Sequence, residues 1–331
     1  MRLRSFVGLS LLAGAAMPLA AQGVNSQCAA GVTQDVCQKS IDIFQYLAPQ
    51  LGVIIAGGNA TLGVGGTIGG LGRIYVSGRA NIVSADIPRV AQVTPSVTGA
   101  RSDQYPTQSQ IAGIPQADVA IGIFRGFPLG VTNVGGLDLL VNATYLPAVS
   151  TAGVNLGVPN GSLKFGGGAR LGIIQESILF PGISATYLRR ALPTVDVSAA
   201  SGSDTIRVDN LNVRTDSWRI VASKSLLAFG LAAGFGQDRY NSDGTTRAFI
   251  APRTVGVASS TPAETVGPIA LNQKLTRTTY FLDASLNFPI IRLIGEVGRT
   301  GSANVPTFNT FAGSVAGAAR TFGALGVRLG L

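Results

Sequence analysis

The sequence predicts an all-β protein: a transmembrane antiparallel up-and-down β-barrel of 12 to 14 strands, with a short N-terminal helical segment tied by a disulfide. Three observations predict it. Apolar and polar side chains alternate strictly from Ser162 to Ile173, and similar alternation recurs along most of the chain. Hydrophobic residues make up 46% of the chain, yet no convincing membrane-spanning helix follows residue 21. Glycine, which lets curved sheets bend, accounts for 44 of 331 residues.

The stretch 162–173 shows the pattern most clearly. Its odd positions are Leu163, Phe165, Gly167, Ala169, Leu171 and Ile173, and its even positions are Ser162, Lys164, Gly166, Gly168, Arg170 and Gly172. Successive strand side chains point to opposite faces, so one face meets an apolar medium and the other meets water. Its length is close to the roughly 9 to 11 tilted residues that cross a bilayer.

The first 21 residues predict a secretory signal peptide. Arg2 and Arg4 precede an apolar run from Phe6 to Ala21, and the polar Gln22 follows. We expect cleavage after Ala21. A membrane anchor is the alternative, although the run is slightly shorter than the roughly 17 to 25 residues that span a bilayer.

The next segment, 22–58, is predicted to be a periplasmic or plug segment. Residues 34–51 are expected to form a short helix that ends near Pro49, either capping or plugging the barrel or packing under its rim. Cys28 and Cys37 lie close together in a chain predicted to be exported, which favours a disulfide over two free thiols. A metal site is not expected, because two ligands are too few and the chain has no histidine.

Residues 59–331 are assigned to an outer-membrane barrel. The alternation marks twelve strands, near 72–83, 116–126, 137–146, 162–174, 183–197, 204–214, 216–224, 227–240, 245–251, 275–286, 291–300 and 319–331. The glycine-rich stretch 60–69 is either a further strand or part of the lumen lining, so the predicted count is twelve to fourteen.

The predicted connections largely separate into shorter and longer groups, as bacterial barrels require. The shorter group contains 127–136, 175–182, Thr215, Asn241–Gly244 and 287–289. The longer group contains 84–115, 147–161, 198–203, 252–274 and 301–318. Ser225-Leu226 is an exception, because this short connection falls on the long-loop side.

Charged residues in several strands keep to the polar positions, and these are the pore-lining candidates: Arg73, Arg79, Asp138, Lys164, Arg170, Arg277, Asp283, Arg292, Glu296, Arg320 and Arg328. A membrane enforces such sorting, since an Arg or Lys facing lipid at the midplane costs about 2–4 kcal/mol. Arg125, Arg189 and Arg299 break the pattern. Arg125 and Arg299 lie at strand ends, where their side chains can reach the interface, but Arg189 lies further in.

Two interpretations of the inward arginines remain open. They could make an electropositive pore that favours anions, or they could pair with inward carboxylates and fill a narrow interior. Five aromatic residues lie near predicted strand ends, where an interfacial girdle would place them: Tyr145, Tyr187, Trp218, Tyr240 and Tyr280.

The final strand carries a specific resemblance. Gly326, Leu329 and Leu331 resemble the carboxy-terminal signal of bacterial outer-membrane barrels, with Leu331 in place of the usual aromatic residue and Ala324 where a polar residue is usual. The resemblance implies recognition by the barrel-assembly machinery. A plugged barrel with an amino-terminal helix is also similar in architecture to long-chain fatty-acid transporters.

Several chemistries are excluded, and we expect no enzymatic activity and no cofactor. The absence of histidine removes Ser-His-Asp, Cys-His and histidine-metal mechanisms, and no lysine follows a glycine as a phosphate-binding loop requires. Carboxylates such as Glu176 and Asp196 have no spacing that distinguishes them. The formal charge is +9, but the arginines are mostly spread singly, so nucleic acid is not an expected partner.

The sequence therefore predicts an exported protein of the bacterial outer membrane, in contact with its lipid, that passively admits small solutes. Uptake of hydrophobic molecules through a plugged barrel is one alternative. A closed structural or adhesion barrel acting through the 84–115 loop is another. A soluble secreted β-sandwich is the fourth, and it would have shorter strands around an apolar core.

Overall fold

The chain folds into a closed antiparallel β-barrel with a helix inside it, as shown by a computed structural model that describes residues 23–151, 154–255 and 259–330. Ten strands form the ring, in the order β10, β9, β6, β3, β1, β19, β17, β16, β13 and β12, and β12 pairs back with β10 to close it. The predicted all-β barrel is confirmed. The proposed signal peptide, residues 1–21, and Leu331 of the final motif lie outside the described residues.

The described helix α1 spans Gln34–Ala56. In chain order the strands are β1 (Ile74–Pro88), β2 (Gln104–Tyr105), β3 (Thr107–Phe124), β4 (Phe127–Leu129), β5 (Thr132–Val134), β6 (Gly136–Tyr145), β7 (Val149–Thr151), β8 (Val154–Gly157), β9 (Leu163–Ile174), β10 (Gly182–Ala191), β11 (Val195–Ser201), β12 (Asp204–Leu226), β13 (Phe229–Ile250), β14 (Arg253–Val255), β15 (Ser259–Thr261), β16 (Glu264–Asn287), β17 (Ile291–Thr300), β18 (Thr310–Phe311) and β19 (Arg320–Gly330). A single 3₁₀ turn covers Val90–Gln92.

The barrel wall is apolar outside and polar inside. On β19, Leu325 is 69% exposed whereas Arg328 is 2% exposed, and the same alternation runs through the other ring strands. A soluble barrel would place the apolar face inward. The opposite arrangement is that of a transmembrane barrel of the outer-membrane type.

The closed ring has ten strands, two fewer than the lowest predicted count, and β11, β8 and β7 extend the same sheet to thirteen. The predicted strands 204–214 and 216–224 are one strand, β12, and 227–240 and 245–251 are one strand, β13. Thr215 and Asn241–Gly244, predicted as turns, pair in register inside these two strands. The glycine-rich stretch 60–69 forms no strand.

Merging these strands also removes the exception in the loop pattern. The shorter connections 125–135, 175–181, 227–228 and 288–290 now share one end of the barrel, which we call the short-turn end. The longer connections 89–106, 146–162, 192–203, 251–263 and 301–319 share the other, the long-loop end.

Helix α1 lies inside the ring, because it contacts β1, β3, β10, β12, β13, β16 and β19 around the circumference. It continues through Pro49, contrary to the prediction that it ends there. Proline removes the N–H that would bond to the carbonyl of Gln45, and the Gln273 side chain donates to that carbonyl instead, at 3.1 Å. The barrel wall thus satisfies the group that proline leaves unpaired.

The predicted disulfide is confirmed, since Cys28 and Cys37 are bonded and tie the segment before α1 to its first turn. No helix among the described residues is both long enough and apolar enough to cross a membrane.

Candidate functional site

The lumen is filled by the protein's own chain. We call α1 and the irregular segment 57–72 together the lumen plug. The helix enters from the long-loop end, and the irregular segment continues to the short-turn end, where β1 begins at Ile74. The candidate site is the contact between this plug and the inward side chains of the barrel.

Four buried arginines hold the middle of the plug, and we call them the arginine clamp: Arg79, Arg190, Arg219 and Arg328. Each donates to main-chain carbonyls of the plug, at Asn59 (2.7 Å) for Arg79, Ala56 for Arg190, Gly57 and Gly58 (both 3.1 Å) for Arg219, and Leu62 for Arg328. Charged donors make such hydrogen bonds stronger than neutral ones.

The clamp meets the plug where α1 ends. The last carbonyls of a helix have no partner within the helix and carry its negative dipole end. Here Asn81 donates to Ile54, Gln116 donates to Ile55, and Arg190 donates to Ala56, while the N–H of Gly57 closes on Val53. The barrel wall therefore caps the helix, and positive charge lies at the favourable end.

Carboxylates of the wall bind the amides that follow. Glu296 accepts the backbone N–H groups of Gly58 (3.0 Å) and Asn59 (2.6 Å). Asp283, on the neighbouring strand, accepts the N–H of Gly63 (2.8 Å) and the side-chain amide of Asn59 (2.7 Å). The plug thus offers carbonyls to arginines and amides to carboxylates within a few residues.

The buried charges are also paired with each other. Asp118 lies 3.0 Å from Arg79 and 3.5 Å from Arg190. Arg219 lies 2.6 Å from Asp238. Nearer the short-turn end, Arg170 lies 2.7 Å from Asp138, whose oxygens also face the N–H of Ile68 at 3.2–3.3 Å. These inward arginines sit in ion pairs and plug contacts.

The irregular part of the plug borders a cavity of about 590 Å³ at the short-turn end. Val64 and Thr67 of the plug line one side, and Glu176, Leu226 and Arg292 of the barrel line others. Gly65 donates to Ser223 (2.8 Å), and Thr67 and Gln175 exchange two hydrogen bonds of 2.6 Å. The plug thus closes the lumen, and the cavity next to it is open to the outside at the short-turn end.

At the long-loop end the start of α1 is tied to the outside loops. Lys39 pairs with Asp35 (2.6 Å) and with Asp103 (3.0 Å) of the loop 89–106. Asp42 accepts the backbone N–H groups of Phe308 (3.2 Å) and Asn309 (2.8 Å) in the loop 301–319. Burial raises the pKa of the Asp42 carboxyl above its ordinary value, and these hydrogen bonds oppose that shift.

We expect Asp42→Ala to release the loop 301–319 from the plug. The substitution leaves the buried amide of Asn309 and the partly buried amide of Phe308 without an acceptor, and the buried group alone costs about 1–3 kcal/mol. Hydrogen exchange should be faster at both amides. Asp243→Ala, at an exposed pair 3.2 Å from Arg214, should leave that exchange unchanged. Equal protection in Asp42→Ala and wild type would contradict the anchor.

The pore-lining candidates occupy three environments. Eight are buried and inward, and these are Arg79, Asp138, Arg170, Arg277, Asp283, Glu296, Arg320 and Arg328. Arg292 is half-buried at the cavity, and Arg73 and Lys164 are exposed. The sequence analysis did not select Asp118, Arg190, Arg219 or Asp238. For Arg219 and Asp238 the signal was present, because each shares a face of its strand with small residues, Ser217 and Ser223 for Arg219 and Gly236 and Ser242 for Asp238.

The outward arginines lie at the edges of the apolar wall. Arg189 lies two residues before the end of β10, with a side chain 55% exposed and 3.6 Å from the outward Asp216. The sequence analysis placed Arg189 further inside the strand because it extended this strand to residue 197. Tyr145, Tyr187, Trp218 and Tyr280 face outward as a girdle requires, whereas Tyr240 is inward and buried against the plug.

No family model matches this chain, and no curated protein matches it. Among solved structures, it is similar to a deletion mutant of TodX, described as a monoaromatic hydrocarbon channel, with 10% identity, 78% of this chain and 90% of that chain covered, and a TM-score of 0.28. The toluene transporter TbuX of Ralstonia pickettii gives 12% identity, coverages of 92% and 98%, and a TM-score of 0.26. OmpT, an outer membrane protein of Vibrio cholerae, gives 10% identity, coverages of 78% of this chain and 99% of that chain, and a TM-score of 0.15. These similarities are too weak to support an argument about the function of this chain.

Proposed function

We propose that this chain is a non-enzymatic channel of the bacterial outer membrane, kept closed by its own lumen plug and opened when the irregular segment 57–72 moves. The observation that carries this proposal is the contrast between the two parts of the plug. Helix α1 packs into two large apolar clusters. Segment 57–72 adds only Ala60, Leu62 and Ile68 to two small ones and is held mainly by hydrogen bonds to the wall, next to an open cavity.

The composition of segment 57–72 supports movement. Eight of its sixteen residues are glycine, so it has few side chains to pack and many accessible backbone conformations. Exchanging a polar contact for water costs about 0.5–1.5 kcal/mol net for a neutral hydrogen bond, as between Gly65 and Ser223, and about 1.5–3 kcal/mol for one to a charged group. The contacts between segment 57–72 and the wall can break one at a time without unfolding the barrel.

The lining favours uncharged solutes. In the half of the lumen nearer the long-loop end, which we call the upper lumen, α1 packs in an apolar cluster that includes Phe44, Val213 and Phe281. Buried charges there are paired, as Arg320 is with Asp86 at 2.6 Å. In the lower lumen most of the buried arginines face carboxylates or plug carbonyls, so they present little free positive charge to an anion. A charged solute would have to shed its water in this lining, which is costly without a partner.

A disulfide lock tests the gate. A Cβ built on Gly172 of β9 lies 3.0 Å from Oγ1 of Thr67 in the plug, close to the spacing needed for a bridge. We expect oxidised Thr67→Cys/Gly172→Cys to show no conductance in planar bilayers and to recover wild-type conductance on reduction. Single Thr67→Cys and reductant-treated wild type are the controls, because the reductant also reaches Cys28–Cys37.

Conductance that persists through a verified cross-link would rule out segment 57–72 as the gate. A closed structural barrel acting through its outside loops is the second candidate, favoured by the tight packing of the upper lumen, where a cavity between α1 and β12 measures only about 50 Å³. It predicts that correctly folded wild-type protein gives no conductance at all.

A further inference from the structure

The shorter connections expose large apolar side chains at their tips. Leu227 is 100% exposed, Ile178 94%, Leu179 73%, Ile290 70% and Phe127 67%. All four shorter connections contribute to this set. Turns that end in water normally carry polar residues, so a tip surface of this kind indicates a different surrounding medium.

The height of the apolar wall places these tips in the membrane. On the outer face, Arg189, Asp216 and Arg239 form one charged row on three neighbouring strands, with Tyr187 and Trp218 just below them. Leu226 follows Asp216 by ten residues along β12. Ten residues of a strand tilted by about 40° rise about 25 Å along the barrel axis, which is the full height of a lipid-facing band.

Strand β10 by itself is too short to span the lipid-facing band. Only six residues separate Arg189 from Ile183, the first outward residue of that strand. They rise about 15 Å, so about 10 Å of the band is missing at this place. The connection 175–181, whose tip carries Ile178, Leu179 and Phe180, lies where the missing part of the band must be.

Several polar groups of the tips have hydrogen-bond partners within the protein. Lys224 donates its ammonium to the carbonyls of Ser177 (2.5 Å) and Ile178 (2.8 Å). Asn287 donates its side-chain amide to Leu227 (3.3 Å) and its backbone N–H to Ala228 (2.7 Å). Water would make such internal partners unnecessary, whereas lipid requires them.

We propose that the short-turn end is immersed in the membrane, with the tips of its turns among phospholipid acyl chains near the headgroups. The occupant is lipid because the exposed apolar side chains of the tips continue the apolar wall, and the ammonium of Lys224, on the outer face of β12, is bound by the carbonyls of Ser177 and Ile178. The cavity of about 590 Å³ in the lumen is bordered by Ile178, Leu226 and Leu227, so it would open at the membrane interface. A solute leaving the plug there would enter the interface before bulk water.

Tryptophan depth measurements in lipid nanodiscs test the proposal. Trp218 is the chain's single tryptophan and faces outward on the wall, so wild type is the lipid-facing reference. In a Trp218→Phe background, Leu227→Trp and Ile178→Trp report on two tips. Val315→Trp, at a 54% exposed apolar position of the long-loop end, is the matched control.

We expect phosphatidylcholine brominated near the headgroup end of its acyl chains to quench both tip tryptophans as strongly as it quenches Trp218. Acrylamide in the water should quench them less than it quenches the tryptophan of Val315→Trp. Strong acrylamide quenching without bromine quenching would place the tips in water and overturn the proposal. Protection from both quenchers would show that protein covers them, which would also overturn it. Neither result depends on whether the barrel conducts.

Discussion

Asp118→Asn should lower the free energy of unfolding by about 3–5 kcal/mol, because it leaves buried guanidinium groups without their shared counter-charge. Asp118 is 5% exposed and lies between Arg79 and Arg190, which are 4% and 2% exposed. Asparagine has nearly the same shape, so the change removes charge without creating a cavity. The two arginines then repel each other in a medium that screens them poorly.

The same substitution should loosen the plug. Both arginines also donate to plug carbonyls, at Asn59 and Ala56, and they are oriented for this by Asp118. When their shared carboxylate is lost, we expect both guanidinium groups to turn away from the plug. Hydrogen exchange at the C-terminal turn of α1 should therefore rise along with the loss of global stability.

Urea unfolding followed through the fluorescence of Trp218 measures the first effect. Asp216→Asn is the control, because its partner Arg189 is 55% exposed and 3.6 Å away, and exposed pairs contribute only about 0–1 kcal/mol. Similar losses for the two variants would mean that water solvates the Asp118 site, and the lumen would then be wetter than its burial indicates.

Side-chain alternation was enough to place eight of the eleven selected charges on the inward face, but it could not show where the membrane ends. On β12 and β13 the outward face turns polar at Asp216 and Arg239 and stays polar through Arg214 and Asn241. A pattern of apolar outward residues therefore stops there, and Thr215 and Asn241–Gly244 resemble turns. The hydrogen-bonded ladder continues past them, because a sheet can extend beyond the bilayer into water.

The partners of the inward charges were less accessible to sequence analysis. Arg170 and Asp138 both lie at inward positions, but their pairing depends on β6 being next to β9 in the ring. The arginine clamp binds main-chain carbonyls, which have no signature in the sequence. Pro49 shows the same limit, since its place inside α1 depends on Gln273, a residue more than 200 positions away.

Gly65→Ala should shift the plug toward the open state. A Cβ built on Gly65 lies 2.3 Å from the backbone nitrogen of Ser223 and 2.5 Å from the backbone carbon of Ala222. These atoms belong to the ladder of β12 and cannot move aside, so segment 57–72 must move instead. Overpacking of this kind costs about 1–3 kcal/mol, and here it destabilises only the closed state.

A penalty of that size should raise the population of the open state about 5- to 150-fold, and planar-bilayer conductance should rise with it. The hydrogen bond from Gly65 to Ser223 should also be lost, which hydrogen exchange at that amide would report. Gly78→Ala is the matched control, because a Cβ there meets nothing within 4 Å on the outer face of β1. If Gly65→Ala exchanged faster at residue 65 but conducted no better than Gly78→Ala, the plug could move without opening a path. The closed structural barrel would then be the better explanation, since a segment that moves freely over a sealed upper lumen passes nothing.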